Sequence, residues 1–387
     1  MARTKVDKAQ KSTLRSERST DSGSINPTRI TLARKRKGLS KTTFAREIDV
    51  DRKSVQAYED GRSVPSEGTM AKILGVLGFP RNFFFGDDLE VPSLETGSFR
   101  AMSKMKAPKR EMALSQAALG LHLNSWICQR FRLPEPDIPN LGRQPDPEAA
   151  AEFVRRQWSL GNLSIRNMVH LLESKGVRVF SLAVDAREVD AFSLWSGNVP
   201  FIFLNANKTS EHSRFDAAHE LGHLVLHKHG PPNGIEAEKQ ANAFASAFLM
   251  PRGSVIANAP RFPTYDVLVD RKQIWIVSVA ALAYRMHQLG LMTDWQYRGA
   301  CIQIAKRGKD FEPNEAPRET SIILPKVFSA LYEDGLGRAH VARDLCIPIG
   351  ELEQLLFGLT LAAVDGKRSD HAQKGAQHRR LALVEKA

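Results

Sequence analysis

Cysteine is scarce: Cys128, Cys301 and Cys346 are the only three in 387 residues, far apart and with no CxxC pair. That set supports neither a disulfide framework nor a cysteine metal site, and it suits a reducing cytoplasm. Long apolar runs are missing as well. The longest, Ile274 to Tyr284, falls short of the ~20 residues a bilayer-spanning helix needs, and the N-terminus is polar where a secretory leader needs an apolar stretch. A soluble chain with no membrane partner is expected. No internal repeat is present, and the length exceeds one ordinary core, so two or three units are expected.

What is abundant is positive charge, +12 in net. Its location matters more than its size. Residues 1–26 carry net +3, residues 27–88 net +4 and residues 366–387 net +4, which leaves the body near neutral. Phosphate contacts would release counterions in those basic segments, although charge of this size fits plain solubility equally well.

Residues 1–26 are rich in Ser, Thr and Lys/Arg with few large apolar residues, and read as a disordered basic arm. Short amphipathic helices follow over 27–88, punctuated by Gly38, the Asp49-Val50-Asp51 turn, Gly61 and Pro65. A linker over 89–98 leads to helical periodicity over 99–132, then to helices at 147–159 and 163–175. The runs VRVFSLAV, AFSLW and PFIFLN read as three strands. Helices are expected from Glu211 to His227, from Ile235 to Leu249 (stopped by Pro251), over 270–289 and within 325–360. The fold class is therefore α+β: an N-terminal all-α domain (27–88), a mainly helical domain with a small β-sheet (99–302), a C-terminal helical domain (320–362) and a disordered basic tail (366–387).

In GLSKTTFAREIDVDRKSVQAYEDGRSVPS one helix starts at Ser40 and closes near Ile48, and another starts at Arg52. Ala45, Ile48, Val55 and Tyr58 form the apolar seam. Arg52, Lys53, Ser54 and Gln56 are left on the outside of the second helix near its N-terminus, where a recognition helix meets base edges. Arg and Lys pair with guanine or phosphate, Gln with adenine and Ser with either, so these four are the candidate DNA-binding residues. Asp51 caps the helix well but repels phosphate. The segment resembles the phage-repressor (Cro/CI, or XRE) helix-turn-helix family, with Gly38-Leu39-Ser40 and Tyr58 to Ser66 as landmarks. That resemblance implies a double-stranded DNA operator as partner, and a homodimer is allowed for. A second such segment, Arg338 to Leu356, has few outward basic residues and is read as packing or dimerisation.

His219-Glu220-Leu221-Gly222-His223 is an HExxH pattern on an expected helix. Histidines at i and i+4 project from one face and can reach one tetrahedral ion, with Glu220 beside them to take a proton from water at the open position. The third ligand lies downstream. His229 has the spacing of a metzincin, but Leu226 stands where the required glycine should be. Glu238 heads a second helix with Asn242 on the same face and is preferred; Glu236 is the fallback. His227, one turn beyond His223, is read as a hydrogen-bonded histidine behind the ligands, as is Asn242.

PFIFLNANKTSEHSRFDAAHELGHLVLH followed by EAEKQANAFASAFLMP resembles the ImmA/IrrE family of zinc metallo-endopeptidases over roughly 99–300. The resemblance implies zinc at His219, His223 and Glu238, with Glu220 as the catalytic base. It also implies a protein substrate, such as a repressor, with Phe201 to Asn205 as the strand on which an extended peptide would pair. Two classes fit the fusion: a DNA-binding regulator that cleaves a regulatory protein, or a non-proteolytic transcription factor, as in the short-chain fatty acyl regulators, that uses the same domain as a sensor.

Overall fold

The computed structural model describes residues 24–92, 106–142, 146–182, 191–205, 207–228, 234–308 and 311–360. Residues 1–23 of the basic arm, most of the linker, the basic tail and His229 lie outside these. The chain opens on four helices, α1 (Pro27–Arg36), α2 (Lys41–Glu47), α3 (Arg52–Glu59) and α4 (Glu67–Leu77). Asn26, Ser40, Asp51 and Ser66 each stand at an N-cap and accept a backbone N–H, so the four starts are set by local chemistry. Asp49 takes a positive φ between α2 and α3, one of the few conformations that Asp tolerates better than most residues. Ile30, Ala33, Phe44, Ala45, Ile48, Val55, Met70, Ile73 and Leu77 close the core of this bundle.

The body begins with α5 (Ala107–Cys128), α6 (Pro147–Gln157) and α7 (Met168–Ser174). A three-stranded sheet follows: β1 (Arg178–Leu182), β2 (Ala191–Ser196) and β3 (Val199–Asn205), in the order β1-β3-β2. β3 runs parallel to β1 and antiparallel to β2. Phe203 lies opposite both Phe180 and Phe192, and the three rings stack at centroid distances of 5.9 and 4.8 Å. β3 is thus hydrogen-bonded on both sides along its length, and it cannot be the strand on which a peptide pairs. Its all-apolar sequence reflects burial on both faces of a central strand. Among the described residues, β2 pairs on one side only.

Two long helices follow: α8 (Ser210–Leu226) packs on β2 and β3, and α9 (Gly234–Leu249) packs on α8. They meet closely at Gly222: a Cβ there would come within 3.3 Å of the Ala241 backbone and 3.1 Å of Phe244, tighter than ordinary contact, so glycine eases this approach. Then come α10 (Arg252–Asn258), α11 (Tyr265–Arg271), α12 (Val279–Gln288) and α13 (Asp294–Arg307). The single helix expected over 270–289 is broken. Ile276 has a positive φ, the buried Trp275 donates its indole N–H to Ser254, and Ser278 caps a new start at Val279.

Helices α14 (Ile323–Glu333), α15 (Arg338–Asp344) and α16 (Ile349–Leu356) end the described chain. α15 and α16 pack rather than project: Val341, Leu352, Leu355 and Leu356 are buried, and Glu351 forms a 2.7 Å ion pair with Arg36 of α1. Both side chains are at most 6% exposed, and Gln354 also accepts from Arg36. Lys35 reaches Glu111 of α5 at 3.1 Å, so the first bundle is held to the body by apolar and polar contacts together. No helix among the described residues is long and apolar enough to cross a membrane.

Candidate metal centre and nucleic-acid interface

Helical spacing carries His219 and His223 onto one face of α8, and the close approach at Gly222 brings Glu238 of α9 opposite them. One donor atom from each of the three lies within 4.8 Å of the others. Glu238 Oε2 is 3.4 Å from His219 Nε2, and Oε1 is 3.5 Å from His223 Nε2. Glu236 is exposed on α9 and takes no part in this cluster.

The far sides of the rings are tied. His219 Nδ1 contacts Asn242 Oδ1 at 3.0 Å, and His223 Nδ1 contacts His227 Nδ1 at 2.9 Å. His227 Nε2 in turn faces Gln240 Oε1 at 3.0 Å. Asn242 Oδ1 only accepts, so the neutral ring of His219 carries its one proton on Nδ1 and turns the lone pair of Nε2 inward. The two Nε2 atoms stand 3.1 Å apart, and Glu238 Oε1 is buried without a hydrogen-bond partner. Converging nitrogens beside an orphaned carboxylate oxygen are a donor set suited to a cation.

Glu220 is 3% exposed and accepts a 2.6 Å hydrogen bond from Ser193 of β2. Burial raises its carboxyl to about 7, although His219 and Ser193 act in the other direction. Burial also opposes charge on His219, yet Glu238, Glu220 and Asn242 outweigh it and lift this imidazole to about 9. His223 is pushed down to about 4, chiefly by burial. Contacts with His219, then His223, hold Glu238 well below the usual carboxylate range. Ser193 and Gln240 escape sequence reasoning, because a serine in an apolar strand and a glutamine between two better candidates carry no signal.

On α3, Arg52 and Lys53 are exposed, whereas Ser54 donates to the capping Asp51 at 3.1 Å. Gln56 accepts from Lys41 at 2.5 Å and donates to Asp60 at 2.6 Å, so its amide is engaged within the domain. A pair not foreseen lies beneath: Arg34 meets Glu59 at 2.5 Å, with side chains 4% and 2% exposed, and fixes α1 against α3.

The comparisons with known proteins fall on these two regions. The family model described as IrrE N-terminal-like domain matches residues 172–287, which include the whole cluster of α8 and α9. The model described as Helix-turn-helix matches residues 30–84. No curated protein matches the chain. The protein therefore joins a helix-turn-helix domain of the Cro/CI (XRE) type, which supports DNA binding, to a metallopeptidase-like domain of the IrrE/ImmA type.

Proposed function

We propose that this protein is a cytoplasmic transcriptional regulator that binds an operator through α3 and holds zinc at His219, His223 and Glu238, where it cleaves a regulatory protein such as a repressor. The convergence of three donor atoms on one point, with both histidines tied from behind, carries this reading. It separates the site from a chance HExxH on an amphipathic helix.

Bound there, zinc would supply a Lewis acid that polarises the scissile carbonyl and acidifies water. Glu220 accepts the proton of the attacking water and passes it to the leaving amine. Ser193 steadies that carboxylate from β2 through its 2.6 Å hydrogen bond. An extended substrate would add to the outer side of β2, the strand whose Ser193 reaches the site helix, by backbone pairing. Arg52 and Lys53 are the foremost DNA contacts, with Ser54 and Gln56 behind them, since only the first two stand clear of neighbours.

The sensor reading has one observation in its favour. The Arg36–Glu351 pair couples the DNA-binding bundle to the body, so a ligand-driven change could reach α3 without any cleavage. A reporter assay decides. If proteolysis carries the function, Glu220→Gln keeps about one zinc per chain and unchanged operator affinity, yet freezes the regulated gene in one state. Normal induction in that variant would defeat the enzymatic reading, while His219→Ala, which strips the metal, should disturb both classes.

A further inference from the structure

We infer that Gln240 is a positioning residue that sets the tautomer of His223 through His227, so that α9 supplies the third metal ligand and also the acceptors that orient both histidines. The inference rests on His223 being a ligand, and it adds the origin of its orientation. The direction of the relay follows from what each atom can do. Gln240 Oε1 is an acceptor only, and it faces His227 Nε2 at 3.0 Å, so that nitrogen carries the proton. A neutral imidazole has one N–H, which leaves His227 Nδ1 as an acceptor. His223 Nδ1 lies 2.9 Å from it and must then be the donor. The lone pair of His223 is thereby confined to Nε2, the atom that faces His219 and Glu238.

The burial gradient agrees with that direction. His223 is 3% exposed and cannot recruit solvent to fix its own tautomer, whereas His227, at 8%, reaches the half-buried Gln240 at the outer end of the relay. A donor at position 240 would reverse the chain: His227 would be protonated on Nδ1, His223 would have to accept there, and its proton would move to Nε2 and block coordination. One direct carboxamide serves His219, and one carboxamide acting through a second imidazole serves His223. All three residues, Glu238, Gln240 and Asn242, stand within one five-residue stretch of α9.

Long-range ¹H–¹⁵N NMR of the full-length chain, labelled in histidine, reads each tautomer with and without zinc. His227 is expected as the Nε2–H form in both states and His223 as the Nδ1–H form once zinc is added. Gln240→Met keeps the bulk but removes the acceptor. It should weaken zinc binding about tenfold in chelator competition, within the range for partners behind a ligand. Gln240→Glu restores an acceptor and should bring affinity back to within about threefold of wild type. The relay is overturned if His227 carries its proton on Nδ1, or if the Met variant binds zinc as wild type does. A wild-type chain that takes up no zinc, yet shows the Nε2–H form of His227, would remove the metal assignment and leave the relay standing.

Discussion

The two functional regions hold their polar residues in opposite ways. On α3 the foremost groups offered to a partner, Arg52 and Lys53, are exposed and secured only by the helix that carries them, with Asp51 capping its start. In the metal cluster nearly every ring nitrogen has a named partner, and Glu220 and His223 are at most 3% exposed. A surface meant for a large, mobile polyanion needs charge and reach. A site meant for a small ion needs fixed lone pairs, so it is built from pairs of helices whose spacing leaves little slack.

That contrast predicts unequal tolerance to substitution. Gly222→Leu should be the most damaging single change to zinc binding, because its side chain meets the Ala241 backbone and the Phe244 ring of α9. Overpacking of this kind costs about 1–3 kcal/mol, and the displaced Glu238 should lower zinc content well below one per chain in elemental analysis. A Leu variant with full metal content would show that the helix spacing does not govern the site.

The clamp between the two regions should respond next. Arg36→Met leaves the buried Glu351 uncompensated and should cost about 3–5 kcal/mol in denaturant unfolding. Adding Glu351→Leu should recover most of that loss. If the double variant is no better than the single, the pair is not an isolated unit. The smallest effects belong to α3. Arg52→Ala should weaken specific operator binding by about 1–3 kcal/mol in a gel-shift titration. Gln56→Ala should cost less, since its amide is shared with Lys41 and Asp60. Equal losses for both would mean that Gln56 leaves those partners when DNA arrives.

Much of this was legible in the sequence wherever a short-range rule applies. HExxH spacing, the i and i+4 relation of Glu238 and Asn242, and the cap residues of α1 to α4 are local patterns, and the elements they imply are present. Strand order was not legible, because an apolar strand reads alike at the centre and the edge of a sheet; among the described residues it is β2, and not β3, that pairs on one side only. Ser193 and Glu220 are 27 residues apart, and Arg36 and Glu351 are 315 apart, distances over which no periodicity carries information. The break at Ile276 hid inside an apolar run. The start of α13, by contrast, was marked by a Thr293/Gln296 capping box that could have been read.

The Arg36–Glu351 pair also bears on the order of assembly. Domains are made and folded from the N-terminus onward, so the helix-turn-helix emerges from the ribosome with its buried guanidinium still lacking its carboxylate. That carboxylate is 315 residues away and is translated long after it. The DNA-binding bundle can close its own apolar core early, but its seat against the body is completed only when α16 arrives. A chain cut short before that helix would carry an operator-reading surface with no anchored position relative to the metal centre.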